Sequence, residues 1–203
     1  MTRPALTFWY EFASTYSWLA AERIDDLAQR AGVAVRWRAF LLGPLFAAHG
    51  WATSPFNLYP AKGRNMWRDM DRLAAAMGLP PVTRPDPFPQ NSLLAARVAT
   101  ALPDAWRPIF SRAVFRAEFT EGQPIDGRAT IAELLRDIVE DGDAVLAMAE
   151  TPETKAALRQ ATAEAQALGI YGAPSFVTAG GELFWGNDRL EQALAWAQRE
   201  ADG

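Results

Sequence analysis

The chain opens on a dense aromatic run, LTFWYEF (Leu6–Phe12), which predicts a central strand. The rhythm then changes. In YSWLAAERIDDLAQRAG the apolar Leu19, Ile24, Leu27 and Ala31 recur near helical spacing, and Gly32 supplies a stop. VAVRWRAF alternates, with Val33, Val35, Trp37 and Ala39 in step, so a second strand follows the helix. From Leu41 to about Leu168 the pattern is helical almost throughout, with candidate helices at Gly63–Met77, Ser92–Leu102, Trp106–Phe119, Thr130–Asp141 and Pro152–Leu168. One loop interrupts it: GLPPVTRPDPFPQN (Gly78–Asn91) holds too many prolines for a helix or a central strand. The tail returns to strands. SFVT and ELFW flank Gly180–Gly181, a two-residue hairpin signal, and Leu190, Leu194 and Ala197 give a last helix its apolar face.

A β-α-β start, a helical block and a β-β-α close predict an α/β fold, a thioredoxin-like sheet carrying a large inserted all-helical subdomain. Residues 1–40 and 169–203 would form the thioredoxin-like domain and 41–168 the insertion. With 203 residues, half hydrophobic and 22% charged, the chain can fill a sizeable core and is too apolar for disorder. A net charge of −4, with lysines and arginines scattered among acids, offers no basic stripe, so nucleic acid is not an expected partner. No run approaches the roughly eighteen apolar residues of a membrane span, and the first residues lack a secretory pattern. The absence of cysteine fits a reducing, cytoplasmic setting.

That absence sharpens the first turn, STYS. Ser14 and Ser17 stand where a dithiol oxidoreductase carries Cys-x-x-Cys, so redox chemistry by the chain's own sulfur is excluded. A residue between a strand and a helix lies beside unpaired backbone N–H groups and the positive end of the helix dipole. Ser14 therefore reads either as a helix cap or as a donor to an anion. In GIYGAPSF, Ala173–Pro174 precedes a strand; in a thioredoxin-like sheet an X-Pro here is usually cis, leaving the peptide groups of residue 173 free for an extended peptide, whereas an ordinary trans proline starting a strand is the alternative. In FWGNDRLE, Asp188 followed by Glu191 is either a helix cap or, with Asn187, a receiver for a small zwitterion, and Trp185 is either pocket wall or core. Lys62 at a helix start is unfavourably placed for a cation by the helix dipole, and reads either as a solvated lysine or as a contact to an anionic partner. His49 has no second metal ligand near it, and no metal is expected.

Taken together and in order, STYS, AFLLGPLFAAHG, PAKG, GIYGAPSF and FWGNDRL resemble the 2-hydroxychromene-2-carboxylate isomerase family, kin of the kappa-class glutathione transferases and more remotely of the DsbA oxidoreductases. The resemblance implies glutathione as cofactor, supplying the sulfur that the chain lacks. It places Ser14 against the bound thiolate, Ala173 and Pro174 along the cysteinyl part, Trp185, Gly186, Asn187 and Asp188 at the γ-glutamyl end, and Lys62 near glutathione or the acidic substrate. The implied reaction is glutathione-dependent isomerisation of a 2-hydroxychromene-2-carboxylate-type compound to a trans-o-hydroxybenzylidenepyruvate-type product in aromatic degradation. On the substrate side, a small aromatic carboxylate would meet Lys62 and Asn57 through its charge and Phe88 and Trp51 through its ring. Relatives are commonly homodimers. Two departures stand out: the family usually has Ser-Pro where this chain has Ser14–Thr15, and some members have an asparagine nearer Thr53 than Asn57. Two other activities remain open, a kappa-like transferase that conjugates electrophiles and a non-catalytic peptide-binding module using the Ala173–Pro174 edge.

Overall fold

The computed structural model describes residues 3–202. Strand β1 (Ala5–Tyr10), helix α1 (Thr15–Ala31) and strand β2 (Ala34–Ala39) make the opening unit; β3 (Ser175–Thr178), β4 (Leu183–Trp185), a single 3₁₀ turn (Asn187–Arg189) and helix α10 (Leu190–Asp202) make the close. They form one four-stranded sheet of order β2-β1-β3-β4, with β1 and β2 parallel and the other neighbours antiparallel. The two ends of the chain thus meet at the sheet centre, where Phe8 faces Phe176 with ring centroids 5.5 Å apart. The thioredoxin-like sheet with inserted helices expected from the pattern is the fold observed.

β1 is apolar at nearly every position because both faces are covered. Phe8 and Tyr10 pack on one side with α1, Trp37 and the aromatic side chains of α6 (Arg107–Phe119), while Trp9 and Val177 pack on the other with Phe40, Leu45, Ala161, Ala165 and Ile170. Ala161 and Ala165 belong to α9 (Pro152–Ala167), so this last inserted helix covers the sheet's second face. The remaining inserted helices are α2 (Leu42–Ala48), α3 (Pro55–Leu58), α4 (Pro60–Ala76), α5 (Leu93–Ala101), α7 (Arg128–Arg136) and α8 (Gly142–Ala149). The short α2, α3 and α8 have no counterpart among the helices expected from periodicity, being too short to show one. The helix expected to run to Asp141 stops at Arg136.

Two further expectations change. The first strand ends at Tyr10, not Phe12, because the chain turns there: the Ser14 N–H donates to the Glu11 carbonyl at 3.1 Å. The hairpin loop has three residues, Ala179–Gly181, because the Thr178 N–H reaches the Glu182 carbonyl at 3.1 Å and extends the ladder past the two glycines. The Pro-rich loop is irregular as expected and is pinned by Gln90, whose side chain accepts from the Ile125 N–H at 2.7 Å and donates to the Gln123 carbonyl at 3.3 Å. Among the described residues no helix is long and apolar enough to cross a membrane, and no group of three or more His, Cys, Asp or Glu could hold a metal ion. His49 ends α2 with its Nδ1 2.8 Å from the Leu45 carbonyl.

Candidate active site

The end of β1, the start of α1, the proline before β3 and the 3₁₀ turn after β4 converge on one cavity of about 1720 Å³, closed on the far side by α2–α4 and the Pro-rich loop. Its floor is the STYS turn. Ser14 is the N-cap of α1: its Oγ accepts from the Ser17 N–H at 3.2 Å and donates to the Ala173 carbonyl at 2.9 Å. Capping and contact with the Ala173 edge therefore coexist in one hydroxyl. Thr15 occupies the first helical position and is buried, so the turn is held by packing.

The Ala173–Pro174 bond is cis. Ala173 lines the cavity with Ser14, and its N–H has no partner among the described residues. Beside it, Trp185 lies half-exposed against Tyr171, centroids 5.0 Å apart, and passes directly over Gly172; a Cβ there would stand 2.4 Å from the indole nitrogen. Trp185 is thus cavity wall, not core. Gly186 follows with φ +109°, a conformation open to glycine, and donates its N–H to the Pro174 carbonyl at 3.0 Å.

Asn187 and Asp188 part company. Asn187 is buried and gripped by Arg23 of α1, which donates to its side-chain oxygen at 3.2 Å and to its backbone carbonyl at 2.9 Å while holding Glu191 at 2.8 Å. Asp188 is exposed at the cavity edge and makes no capping bond; among the described residues its one partner is Arg189 at 3.2 Å. A carboxylate at a cavity edge that caps nothing is an acceptor open to a ligand amine.

Lys62 lies on the opposite rim in the first turn of α4, exposed, with Nζ 5.3 Å from the centre of the Tyr59 ring and no carboxylate partner among the described residues. Phe88 reaches the cavity edge-on to Trp67, centroids 4.9 Å apart, and Trp51 lines it beside Phe46. Asn57 is not among the lining residues: its amide donates to the Phe88 carbonyl at 2.7 Å, which makes it a support for the aromatic wall. Asn65, one turn beyond Lys62 on α4, lines the cavity instead.

Three lining residues carry chemistry that sequence reasoning passed over. Tyr16 donates its hydroxyl to Asp69 at 3.0 Å, and burial first, then the Asp69 charge, raises its pKa. Arg189 pairs with Asp188 at the mouth. Glu11 is buried beneath the turn, accepts from the Ser92 hydroxyl, and is pushed up to about 7 by desolvation. The available signals were a tyrosine inside the active turn, an arginine after the acidic pair, and one acid inside an aromatic run.

A family profile described as DSBA-like thioredoxin domain matches residues 5–195. The chain belongs to that family. Within it, the chain is 27% identical over 187 residues to the 2-hydroxychromene-2-carboxylate isomerase of Sphingobium xenophagum, covering 92% of this chain and 94% of that one. It is 25% identical over 206 residues to glutathione S-transferase kappa 2 of Caenorhabditis elegans, covering 94% and 90%. A solved 2-hydroxychromene-2-carboxylate isomerase superposes with a TM-score of 0.85 at 25% identity, covering 98% of each chain. The resemblance seen in the motifs therefore extends over nearly the whole chain, among enzymes of a DsbA-like superfamily.

Proposed function

We propose that this chain is a glutathione-dependent isomerase acting on a 2-hydroxychromene-2-carboxylate-type compound. The observation that carries the reading is a helix N-terminus bearing a serine hydroxyl bonded to the Ala173 carbonyl, before a cis proline, in a large cavity of a protein without cysteine. This is a site for a thiolate on an extended peptide, with the sulfur brought by the ligand.

The residues fit glutathione. Ala173 offers its N–H to the cysteinyl backbone, Asp188 its carboxylate to the γ-glutamyl amine, and Trp185 an apolar wall over the peptide. Bound glutathione supplies a thiolate that adds reversibly to the conjugated side chain of the substrate and is regenerated in each turnover. Ser14 holds that sulfur ionised by turning its hydroxyl from the Ala173 carbonyl to the charge. Lys62, with Asn65 in place of Asn57, meets the substrate carboxylate, and Phe88 and Trp51 flank its ring. The residues that would hold glutathione come from the sheet end and α1, and those that would hold the substrate from α4, the Pro-rich loop and the α2–α3 connection, so the two ligands would share one cavity.

A kappa-like transferase is the second reading, favoured by the nematode relative; it uses the same thiolate and differs in retaining the sulfur on the product. A peptide-binding module without catalysis does not use the uncommitted Lys62 or the aromatic wall. A cytoplasmic homodimer completes the proposal. Retention on immobilised glutathione, with release by free glutathione, supports the two enzyme readings; passage through the column, with no heat of binding in a calorimetric titration, overturns both.

A further inference from the structure

Glu11 plays no part in the reading above, yet it shares a turn with Ser14 through the 3.1 Å bond from the Ser14 N–H to its carbonyl. It is 6% exposed and lines the cavity. Its carboxyl accepts from the Ser92 hydroxyl, at the entrance to α5, and meets the Ala13 N–H. Behind it stands Glu118 of α6, with no exposed surface and no partner for either carboxyl oxygen among the described residues. Glu118 feels the charge of Glu11, and no lysine, arginine or histidine acts on either carboxyl.

Two carboxylates cannot both stay ionised in so dry a place without a cation. Glu118, wholly enclosed, keeps its proton, as burial and the neighbouring acid both favour. Glu11 alone reaches the cavity, and its ionisation falls near neutrality. A negative sulfur at the Ser14 turn adds a second charge to the same floor. Thiolate and Glu11 carboxylate then oppose each other as two acids sharing one proton do.

We propose that Glu11 takes the proton from the thiol bound at Ser14 and gives it back when that thiol leaves, so that thiolate formation releases less than one proton to solvent. The S–H bond breaks with its electron pair left on sulfur, an O–H bond forms on the Glu11 carboxylate, and the net charge of the site is unchanged. The inference rests on the glutathione reading above and adds the proton's destination.

The test counts protons. Thiolate formed on glutathione binding is read from its ultraviolet absorbance at pH 7, and protons released are read from the buffer dependence of the binding heat, with S-methylglutathione as the control for the rest of the peptide. Whatever fraction of Glu11 is ionised before binding takes up a proton as the thiolate forms, so protons released per thiolate should be below one. In Glu11→Gln the ratio should rise to one. Glu118→Gln should keep the wild-type ratio, because that carboxyl is already neutral. Should Glu11→Gln not fold, the infrared difference spectrum of the wild-type protein, glutathione minus S-methylglutathione, still decides: a protonated-carboxyl band must grow as the thiolate appears. A wild-type ratio of one, or a thiolate without that band, overturns the assignment of Glu11 and leaves the glutathione reading standing. Absence of any thiolate overturns both.

Discussion

Replacing Ser14 by alanine removes one hydroxyl from three interactions, and their magnitudes separate them. In the free protein it loses the cap on the Ser17 N–H, about 0.5–2 kcal/mol, and the donor to the Ala173 carbonyl, about 0.5–1.5 kcal/mol, so stability should fall by about 1–3.5 kcal/mol. In the complex, a hydrogen bond to the thiolate is worth about 1.5–3 kcal/mol, but the hydroxyl must first leave the Ala173 carbonyl. The net gain is therefore about 1–1.5 kcal/mol, close to one pKa unit at about 1.36 kcal/mol per unit. With ~0.3–1 kcal/mol from the start of α1, a thiol that titrates near ~8.5 when free should titrate near ~7 when bound. The assay is an ultraviolet titration of the bound thiol in wild-type and Ser14→Ala proteins, beside their denaturant midpoints. The variant should titrate about one unit higher and recover part of its lost turnover at raised pH. An unshifted titration together with a loss of stability would show that Ser14 is a cap only.

Other outcomes follow from the same contacts. Because Asp188 makes no capping bond, Asp188→Ala should leave denaturant stability within about 0.5 kcal/mol of wild type, while the glutathione dissociation constant, measured by calorimetry, rises about two- to fivefold. Asn57→Ala should loosen the Phe88 wall and raise the KM for the aromatic substrate with glutathione affinity unchanged. The folded protein keeps the Glu11 proton up to about pH 7, whereas the unfolded chain loses it near 4.5, so stability contributed by this group is full below pH 4.5 and falls as pH rises toward 7. The drop is at most about 3 kcal/mol, and a pH series of urea melts on Glu11→Gln should lack it.

The sheet was legible because each of its strands carries its own signal. The aromatic density of β1, the alternation of β2 and the glycines of the hairpin are local features, and thioredoxin-like topology follows from their order. The geometry of the candidate site was legible where one short motif supplies a backbone feature, as in the Ser14 cap and the cis Ala173–Pro174 bond. It was not legible where function depends on a partner far along the chain. Asn57 sits in the right stretch, but the Phe88 carbonyl, 31 residues away, captures its amide. Asn187 is held by Arg23 across 164 residues. Glu11 reads as a polar interruption in a strand until Ser92 and Glu118 enclose it. The short α2 and α3, which line the cavity, lie below the length at which hydrophobic periodicity shows.

The central claim is that the chain borrows its sulfur from glutathione and returns it in each turnover. It is tested by following a 2-hydroxychromene-2-carboxylate in the ultraviolet with the protein and a small fraction of an equivalent of glutathione, while free thiol is assayed. The account predicts complete conversion to the trans-o-hydroxybenzylidenepyruvate-type product, no conversion without glutathione, and undiminished thiol at the end. Conversion without glutathione, or conversion that stops when the glutathione has been consumed, would contradict it.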